Sequence, residues 1–388
     1  MRTLFSLLVF LVSVLPVGAE ILYSEQQDFY VDPPIGWIFY EDPTPQHFLI
    51  RNAEGSAFLE IFNQDTQGAK ADPASNVTEK AKSVLASLGA TGEGELFSWS
   101  GQESWLGNLT YKAGPYPVQA ILLVTRNQSN YLTGLAYCGA KDFDNQVDVL
   151  QSALNSLALG ETGRKDIGPL SAYFRQTGPE EDLDQKSLTG LPSSFIMSYS
   201  KTTDESIQAV MERESRVVAP MVQTRFLNAA WSRFYRQIYR ELYSSLLPLS
   251  QYWKTLVRKG TVSGASLPQT MMSWIQSFEY SRKGGVTDLS TPWQTLSSQS
   301  GDCDSRCLLY LALLEQTGTK GILMVSVKYS HAMTALELAG TGARFPMDNK
   351  NWLVAELTDN VNKPSLGMIP KEYSDPNQWL GIDLWGKP

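Results

Sequence analysis

The segment that most restricts the fold of this chain is a run of almost purely apolar residues at positions 307–314. A helix that is apolar on every side has no face to turn to water, so it must lie inside a packed domain. The run is followed by Thr317 and Gly318, a normal signal for the end of a helix. We therefore predict a buried helix in the C-terminal half of the chain.

Cys303 precedes this run and falls in the first turn of the predicted helix. The unpaired backbone N–H groups and the helix dipole favour negative charge at that end. The sequence therefore predicts a lowered pKa for the Cys303 thiol, with Asp302 placed to cap the helix. A thiolate is the nucleophile that acyl transfer needs; the alternative is a structural cysteine.

The sequence predicts three strands after this helix, at residues 322–329, 331–338 and 352–358. His331 begins the second of them, and Glu356 lies on the third. In an antiparallel hairpin Glu356 can lie beside His331, which is the arrangement that a base-orienting carboxylate requires. His331 would accept the Cys303 proton and later donate one to the leaving group. Asp348 or Asp359 could take the orienting role instead.

These residues belong to a longer ordered pattern. Its elements are a helix at 271–280 ending in Tyr280, a Pro-Trp-Gln-Thr-Leu loop at 292–296, Gly-Asp-Cys-Asp at 301–304, the apolar helix, the strand at His331, and Glu-Leu-Thr at 356–358. This order resembles the transglutaminase-like superfamily, whose members have a papain-like α+β fold. The resemblance implies that Cys303 is the nucleophile, His331 the base and Glu356 the orienting acid.

The resemblance also implies a reaction. The expected function is that of a cysteine peptidase or amidase that cleaves peptide or isopeptide bonds through a thioester acyl-enzyme, without a cofactor. The backbone N–H of Cys303 is a natural donor to the oxyanion, and Trp293, Gln294 or Gln299 is the candidate second donor. The alternatives are acyl transfer to an amine, and a catalytically inactive binding or scaffold protein.

The N-terminal half has a different pattern. Residues 20–160 alternate short strand-like runs with helices predicted at 77–88 and 142–159. The segments Phe-x-x-Asp-Pro-Pro-x-Gly-Trp at 29–37 and Phe-Ser-Trp at 97–99 followed by Gly101 resemble the PsbP/Mog1-like α-β-α sandwich. An unrelated α+β domain is the alternative. The resemblance implies a non-catalytic, partner-binding domain, in which Asp32 belongs to a turn or a solvated edge.

The chain is therefore predicted to be an α+β protein with four parts. Residues 1–19 combine a positive start, an apolar stretch and small residues before Glu20, which is typical of a signal peptide; a membrane anchor is the alternative. Residues 20–160 form the sandwich domain, 161–200 a linker, and 201–388 the transglutaminase-like catalytic domain with a helical N-terminal part. We expect an exported, periplasmic or extracellular protein with no transmembrane segment after signal removal.

Composition limits the partners. The formal net charge of −8 argues against a nucleic-acid partner. The two histidines, His47 and His331, cannot assemble the common zinc sites, so we expect neither a metal nor a cofactor. The odd number of cysteines, three, leaves at least one thiol free. The expected partner is a protein or peptide substrate, and the oligomeric state stays open.

Overall fold

The computed structural model describes residues 21–40, 43–44, 46–65, 74–128, 130–177, 183–359 and 361–387. The predicted signal peptide at 1–19 lies outside these residues. The fold is α+β, as predicted. Within the described ranges, none of the helices combines the length and the apolar character needed to cross a bilayer.

The N-terminal half contains the strands β1 (Leu22–Ser24), β2 (Phe29–Val31), β3 (Ile38–Phe39), β4 (His47–Arg51), β5 (Ala57–Asp65), β6 (Thr91–Trp99), β7 (Gln102–Ala113), β8 (Tyr116–Asn127), β9 (Asn130–Gly139) and β10 (Ala158–Leu159). Its helices are α1 (Val77–Leu88), α2 (Phe143–Asn155), α3 (Gly160–Gly163) and α4 (Pro169–Thr177). The last two lie in the segment that was predicted to be a linker.

The centre of this half is an antiparallel sheet with the strand order β3-β4-β5-β9-β8-β7-β6. Helix α1 packs on one face, where Val77 and Ala81 meet side chains of β7, β8 and β9. Helix α2 packs on the other face, where Leu150 and Leu154 are fully buried. Because each strand points alternate side chains to the two faces, the sheet supports a separate apolar core on each side.

The C-terminal half contains the strands β11 (Leu183–Leu188), β12 (Phe195–Ser200), β13 (Glu279–Tyr280), β14 (Ser300–Gly301), β15 (Gly321–Ser326), β16 (His331–Leu336), β17 (Arg344–Met347), β18 (Lys350–Ala355) and β19 (Leu380–Ile382). Its α-helices are α5 (Lys201–Val218), α6 (Leu227–Tyr243), α7 (Leu247–Arg258), α8 (Leu267–Gln276), α9 (Pro292–Ser298) and α10 (Cys303–Gln316). Short 3₁₀ turns lie at Ala219–Met221, Ser244–Leu246, Gly264–Ser266, Lys371–Tyr373 and Pro376–Gln378.

Helix α10 is the predicted apolar helix, and its position confirms the prediction. It packs against α7 and α8 on one side and against β15 and β16 on the other. Most of its side chains are inaccessible to water, including Leu308 and Leu313. The sheet beside it has the order β17-β18-β16-β15-β19 with antiparallel pairing throughout. The first residue of α10 therefore lies in the interior rather than at a solvated helix end.

Within residues 161–200, the described parts, 161–177 and 183–200, are not an irregular linker. Helix α4 packs on β6 and α2, and the Trp99 indole donates a hydrogen bond to the Ile167 carbonyl (2.9 Å). Strands β11 and β12 form an antiparallel hairpin that packs on α5 and α7. Pro169, one of the residues that favour a linker, instead opens α4, a position where proline is well tolerated.

Helix α6 joins the two halves through buried arginines. Arg236 makes a two-pronged salt bridge with Asp32, at 2.9 Å from each carboxylate oxygen. Arg233 donates to the Asp32 and Ser152 carbonyls, and Arg240 donates to the Leu157 carbonyl. Asp32 is therefore a buried interdomain residue, and its predicted location at a solvated edge is wrong.

Candidate active site

The start of α10 is built as the sequence predicted. Asp302 has an extended backbone and its carboxylate accepts the Ser305 N–H at 2.9 Å, which caps the helix. Cys303 is the first helical residue, so its own backbone N–H has no acceptor within the helix. The Cys303 side chain is only 2% exposed. The sulfur therefore lies in an enclosed site with helix N–H groups beside it.

His331 and Glu356 form a close pair. His331 is the first residue of β16, and its Nε2 lies 2.7 Å from Glu356 Oε2. Glu356 follows directly after β18, one residue beyond the Thr334–Ala355 pairing. Continuing that antiparallel register sets Glu356 opposite Met333, diagonally across from His331, which is within reach for long side chains. The hairpin thus brings the imidazole and the carboxylate together as predicted.

The second carboxylate oxygen of Glu356 is also engaged. It accepts the backbone N–H of Thr358 at 2.7 Å and the Thr358 hydroxyl at 2.6 Å. Burial alone would raise the pKa of Glu356, but hydrogen bonds from His331 and Thr358 outweigh burial and hold that pKa below its usual value. An ionised carboxylate only accepts, so His331 Nε2 carries the proton and Nδ1 is left as the basic nitrogen.

The sulfur of Cys303 lies against the start of the same strand. The backbone N–H of Ala332, the residue after His331, lies near enough to the Cys303 thiol to lower its pKa. Cys303 Sγ also lies 3.8 Å from Asp304 Oδ2. Since Ala332 and His331 are adjacent in β16, nucleophile and base come from two elements, α10 and β16, that pack directly on each other.

The pKa of the Cys303 thiol differs from the sequence prediction. Burial raises this pKa well above that of a free thiol, and the neighbouring carboxylates of Asp304 and Asp302 raise it further. The Ala332 N–H and the Arg282 guanidinium act in the opposite direction but are weaker. The predicted lowering of the Cys303 pKa by the helix end is therefore wrong, because burial has the larger effect.

Two acidic residues flank the cysteine in the interior. Asp304 Oδ1 accepts the Tyr235 hydroxyl at 2.9 Å, which fixes the carboxylate against α6. Burial raises the pKa of Asp304, and the Tyr235 and His331 side chains partly offset that rise. Burial, followed by the Asp304 charge, raises the pKa of Asp302 to about 7. The site therefore contains carboxyl groups that take up protons far more readily than exposed ones.

Arg306 is a structural residue that the sequence prediction missed. It is completely buried in α10, and its guanidinium donates to the carbonyls of Gly301 (3.1 Å), Phe278 (2.8 Å) and Leu357 (3.3 Å). These carbonyls belong to the segments before Cys303, after α8 and after Glu356. One side chain therefore ties together the backbone segments that carry the nucleophile and the orienting acid.

The candidate oxyanion residues have other partners. The segment predicted as a loop is helix α9, which a capping box between Thr291 and Gln294 initiates. The Gln294 side chain also bonds Asp204 and Lys283. Gln299 bonds Thr189 through both ends of its amide. These amides are therefore engaged away from the sulfur.

Trp293 is also held in a packing contact. Its ring stacks on Tyr199, with centroids 5.3 Å apart and ring planes 2° from parallel. The indole is therefore part of the contact between α9 and the β12 strand. The Gln294 and Gln299 side chains therefore have other partners, whereas the Cys303 backbone N–H has no acceptor within its helix.

The alternative orienting acids lie elsewhere. Asp348 occupies the tight turn between β17 and β18 with φ of 53°, and its carboxylate pairs with Lys387. Asp359 caps a turn by accepting from the Asn362 backbone and amide. Of the three candidate acids, Glu356 is therefore the one that contacts His331.

The other two cysteines are free thiols that lie away from the His331–Glu356 pair in sequence or along the helix. Cys138 and Cys307 are both free and buried. Burial raises the pKa of the Cys138 thiol to about 11, and burial likewise raises that of Cys307. Within the described ranges, no group of three or more histidine, cysteine or acidic side chains is arranged to hold a metal ion.

A cavity of about 610 Å³ opens beside the pair. His331, Glu356, Asp359, Met368 and Tyr373 are among its lining residues. The Tyr373 ring lies 5.0 Å from the His331 ring, which limits the positions that the imidazole can occupy. The volume falls within the range of ligand-binding clefts, so substrate or water can reach the imidazole from this side.

Comparison with known proteins gives structural neighbours only. No protein-family model and no curated protein matches the chain. PsbP of the cyanobacterium Synechocystis matches at a TM-score of 0.30 and 15% identity, covering 36% of this chain and 91% of that one. The Ran-binding protein Mog1p of Saccharomyces cerevisiae matches at 0.27 and 12%, covering 37% and 96%.

A third neighbour is longer. A protein of Bacteroides thetaiotaomicron matches at a TM-score of 0.27 and 10% identity, covering 84% of this chain and 88% of that one. PsbP and Mog1 are the two proteins that the motifs of residues 20–160 resemble. Similarity at these TM-scores assigns neither a family nor a function, so the chain is described by its α+β fold and by the Cys303, His331 and Glu356 side chains.

Proposed function

We propose that this protein is an exported cysteine hydrolase of the transglutaminase-like type, which cleaves peptide or isopeptide amide bonds. The observation that supports the proposal most directly is the 2.7 Å contact between His331 and Glu356 at the start of the strand that also contacts the Cys303 sulfur. A nucleophile, a base and a base-orienting carboxylate are the minimum set for covalent acyl transfer.

The first half of the reaction forms the acyl-enzyme. His331 Nδ1 takes the Cys303 proton as the sulfur attacks the substrate carbonyl carbon, and a tetrahedral oxyanion forms. The Cys303 N–H at the start of α10 donates to that oxyanion. The C–N bond then breaks, and His331 returns the proton to the departing amine. A thioester on Cys303 and a free amine are the products of this half.

The second half releases the product. Water enters beside the imidazole, and His331 Nδ1 removes a proton as the oxygen attacks the thioester carbon. The C–S bond breaks, the sulfur takes back the proton, and a carboxylic acid leaves. Glu356 holds the imidazole through its Nε2 N–H in both halves and stabilises the imidazolium each time it forms.

The high pKa of the Cys303 thiol matters for this mechanism. The proton stays on sulfur until the base acts, because burial disfavours a resting thiolate. Proton transfer and attack are therefore expected to occur together when substrate is bound. The general reactivity of Cys303 toward small electrophiles should accordingly depend strongly on His331.

Site-resolved alkylation tests the proposal. The full chain is treated with iodoacetamide, and the labelling rate of each cysteine is measured by peptide mass spectrometry. Cys303 should react faster than Cys138 and Cys307, and His331→Ala should slow it at least tenfold without changing the other two. Equal rates at all three cysteines, with no effect of His331→Ala, would rule out an activated nucleophile.

A binding or scaffold role is the second candidate. The observation in its favour is that Cys303 is buried, protonated at rest and in contact with the Asp304 carboxyl, as a structural cysteine could be. The same alkylation experiment separates the candidates. A wild-type protein that fails to form a thioester with peptide substrates, and whose Cys303 is as slow as Cys307, supports the scaffold role.

Acyl transfer to an amine is a variant of the first candidate. The cavity beside His331 is large enough for either water or an amine to approach the thioester. Incubation of the protein with a glutamine-containing protein and a fluorescent primary amine distinguishes the two. Amine incorporation that disappears in Cys303→Ala indicates transfer, whereas release of acid or ammonia without incorporation indicates hydrolysis.

A further inference from the structure

Strand β6 forms one edge of the seven-stranded sheet in the N-terminal half, and within the described ranges it pairs with β7 alone. In an antiparallel strand, the N–H and C=O groups of successive residues point alternately toward the partner strand and away from it. Ser98 belongs to the outward set, because its N–H and C=O bond the Gln176 side chain. By the same alternation, Gly92, Gly94 and Leu96 direct their backbone groups away from the sheet.

The Gln176 carboxamide shows which chemical group fits this edge. Its oxygen accepts the Ser98 N–H at 2.8 Å, and its nitrogen donates to the Ser98 carbonyl. A peptide unit offers the same acceptor and donor. Gly92 and Leu96 are exposed and Gly94 is half-buried, and no strand other than β7 pairs with them in the described part of the chain. The edge before Ser98 therefore has the exposure and the hydrogen-bonding groups that an added peptide strand requires.

A cavity lies on each side of β6 at this edge. The first, of about 610 Å³, is on the side of α1, and its lining includes Leu85, Gly94 and Trp105. The second, of about 300 Å³, is on the side of α2, and its lining includes Gly94, Leu106 and Phe174. Because the side chains of a strand alternate between the two faces, a strand added to β6 directs one set of side chains toward each cavity. Pockets for alternate side chains are what give strand-addition sites their specificity.

The cavity on the α1 side suits an apolar side chain. Gly92 and Gly94 place no side chain there, and a Cβ atom at Gly94 would lie 2.4 Å from the Trp105 ring. The indole thus occupies the space beside the glycine and forms an aromatic floor at the edge. Lys82 also lines this cavity from α1 and is exposed, so a second cation is disfavoured on this side.

The α2 side of the edge carries negative charge. Glu93 and Glu95 alternate with the glycines, so their side chains project from this face, and both are exposed. Glu95 accepts the Tyr173 hydroxyl at 3.4 Å, a neutral contact that leaves its charge in place. Arg213 lines the cavity on this side but is buried and paired with Glu214. Opposite charges on directly facing strand positions attract, so this side favours lysine or arginine in an added strand.

We propose that the β6 edge at residues 92–96 binds an extended peptide segment of a partner protein, with basic side chains facing Glu93 and Glu95 and apolar side chains facing Trp105. The segment lies antiparallel to β6, as all neighbouring strands of this sheet do. Its backbone bonds the outward groups of β6, and the two cavities select its side chains. This surface is separate from Cys303 and does not depend on the proposed hydrolase activity.

Calorimetric titration of the full chain with the heptapeptide acetyl-Val-Lys-Val-Lys-Val-Lys-Val-amide tests this proposal. The peptide should bind about tenfold or more tightly than the same peptide with glutamate in place of lysine. In the antiparallel arrangement the valines lie opposite Gly92, Gly94 and Leu96 and donate to β6, whereas the lysine N–H groups point away. N-methylation of the valines should therefore abolish binding, and N-methylation of the lysines should not.

Substitutions in β6 test the same arrangement from the side of the protein. Leu96→Pro removes one outward N–H at an edge position, where proline is tolerated, and should weaken binding of the lysine peptide about fivefold or more. The matched control Leu96→Thr keeps that N–H and should bind within about twofold of the wild type. Glu93→Gln combined with Glu95→Gln changes exposed side chains only, so it keeps the test decisive if Leu96→Pro does not fold. That double variant should weaken binding about threefold or more.

Circular dichroism and thermal unfolding check that each variant is folded. The proposal is overturned if the wild type does not bind the lysine peptide, binds the glutamate peptide equally well, or binds the valine-methylated peptide as tightly as the parent. Unchanged affinity in the double glutamine variant overturns it as well. A second copy of the chain is the competing occupant of this edge. A dimer in sedimentation analysis that Leu96→Pro dissociates and Leu96→Thr does not would assign the edge to that copy and overturn the peptide site.

Discussion

Replacing Glu356 by glutamine is the sharpest test of the proposed catalytic site. The two side chains have nearly the same shape, so Glu356→Gln removes the negative charge while leaving the volume unchanged. Glu356 is 1% exposed and accepts three hydrogen bonds, from His331 Nε2 and from the Thr358 amide and hydroxyl. The substitution therefore acts on a buried and fully engaged group.

The expected size of the effect follows from the His331 contact. A hydrogen bond to a charged group contributes about 1.5–3 kcal/mol. Loss of that contribution from the imidazolium formed during reaction lowers the rate by about tenfold to one hundredfold, since about 1.4 kcal/mol corresponds to a factor of ten. The glutamine amide can also turn its NH₂ toward His331, which would favour the wrong imidazole tautomer and slow the reaction further.

The assay is the rate of Cys303 alkylation by iodoacetamide at neutral pH, measured for each cysteine by mass spectrometry. Glu356→Gln should slow Cys303 and leave Cys307 unchanged. Asp359→Asn and Asp348→Asn are matched controls, because each removes a carboxylate from the same part of the chain without touching His331. The reasoning is refuted if Glu356→Gln labels at the wild-type rate, or if Asp359→Asn is equally slow.

Three further substitutions test the surroundings of the site and the N-terminal core by urea unfolding. Asp302→Asn keeps a cap for Ser305 but removes a carboxyl whose pKa burial raises to about 7. The folded wild type binds that proton more tightly than the unfolded chain does. Its free energy of unfolding therefore falls as the pH rises from about 4 to about 7, by at most about 1.4 kcal/mol per pH unit. The variant should lack this fall, and an unchanged pH profile would contradict it. Arg306→Met removes the side-chain hydrogen bonds to three carbonyls and should lower the free energy of unfolding by about 3 kcal/mol or more, whereas a loss no larger than that of the exposed Arg258→Met would argue against its role. Leu154→Ala, in the core between α2 and the sheet, should lower the free energy of unfolding by about 2–5 kcal/mol; a loss below about 1 kcal/mol would mean that the core collapses around the gap.

Local patterns in the sequence predicted much of the fold. Helix α1 occupies the predicted residues 77–88, because Asn76 caps it, its apolar stripe meets the sheet, and Gly89 ends it in a left-handed conformation. The hairpin that pairs His331 with Glu356 was also predicted, since strand alternation places both side chains on one face. The helix depends on residues within a few positions of each other, whereas the His331–Glu356 pair, 25 residues apart, depends on the antiparallel pairing of two strands.

Helix α9 was missed although its signal was present. Thr291 followed by Pro292 and Gln294 is a capping box with proline at the first helical position, which marks a helix start. The glycine-rich flank of the segment favours a loop over this signal. The engagement of Gln294 in that cap explains why it does not serve the oxyanion.

Other features could not be predicted from local patterns. The Tyr235 hydroxyl donates to Asp304, which lies 69 residues later in the sequence. Arg306 donates to the carbonyl of Phe278, earlier in the sequence, and to that of Leu357, later in it. The high pKa of the Cys303 thiol arises from burial by these distant elements and not from the helix end alone. Only the tertiary arrangement determines which of the two opposing influences on the thiol is larger.

The arginines of α6 have a consequence for how the chain holds together. Arg236 and Arg240 would lose the acceptors described above if the N-terminal half were absent, and Arg233 would keep only Glu214. Separating the halves would therefore break a network of buried hydrogen bonds that both halves share, so we expect neither half to be a free-standing module. Heating or denaturant should therefore melt both halves in a single cooperative step, although their cores are separate.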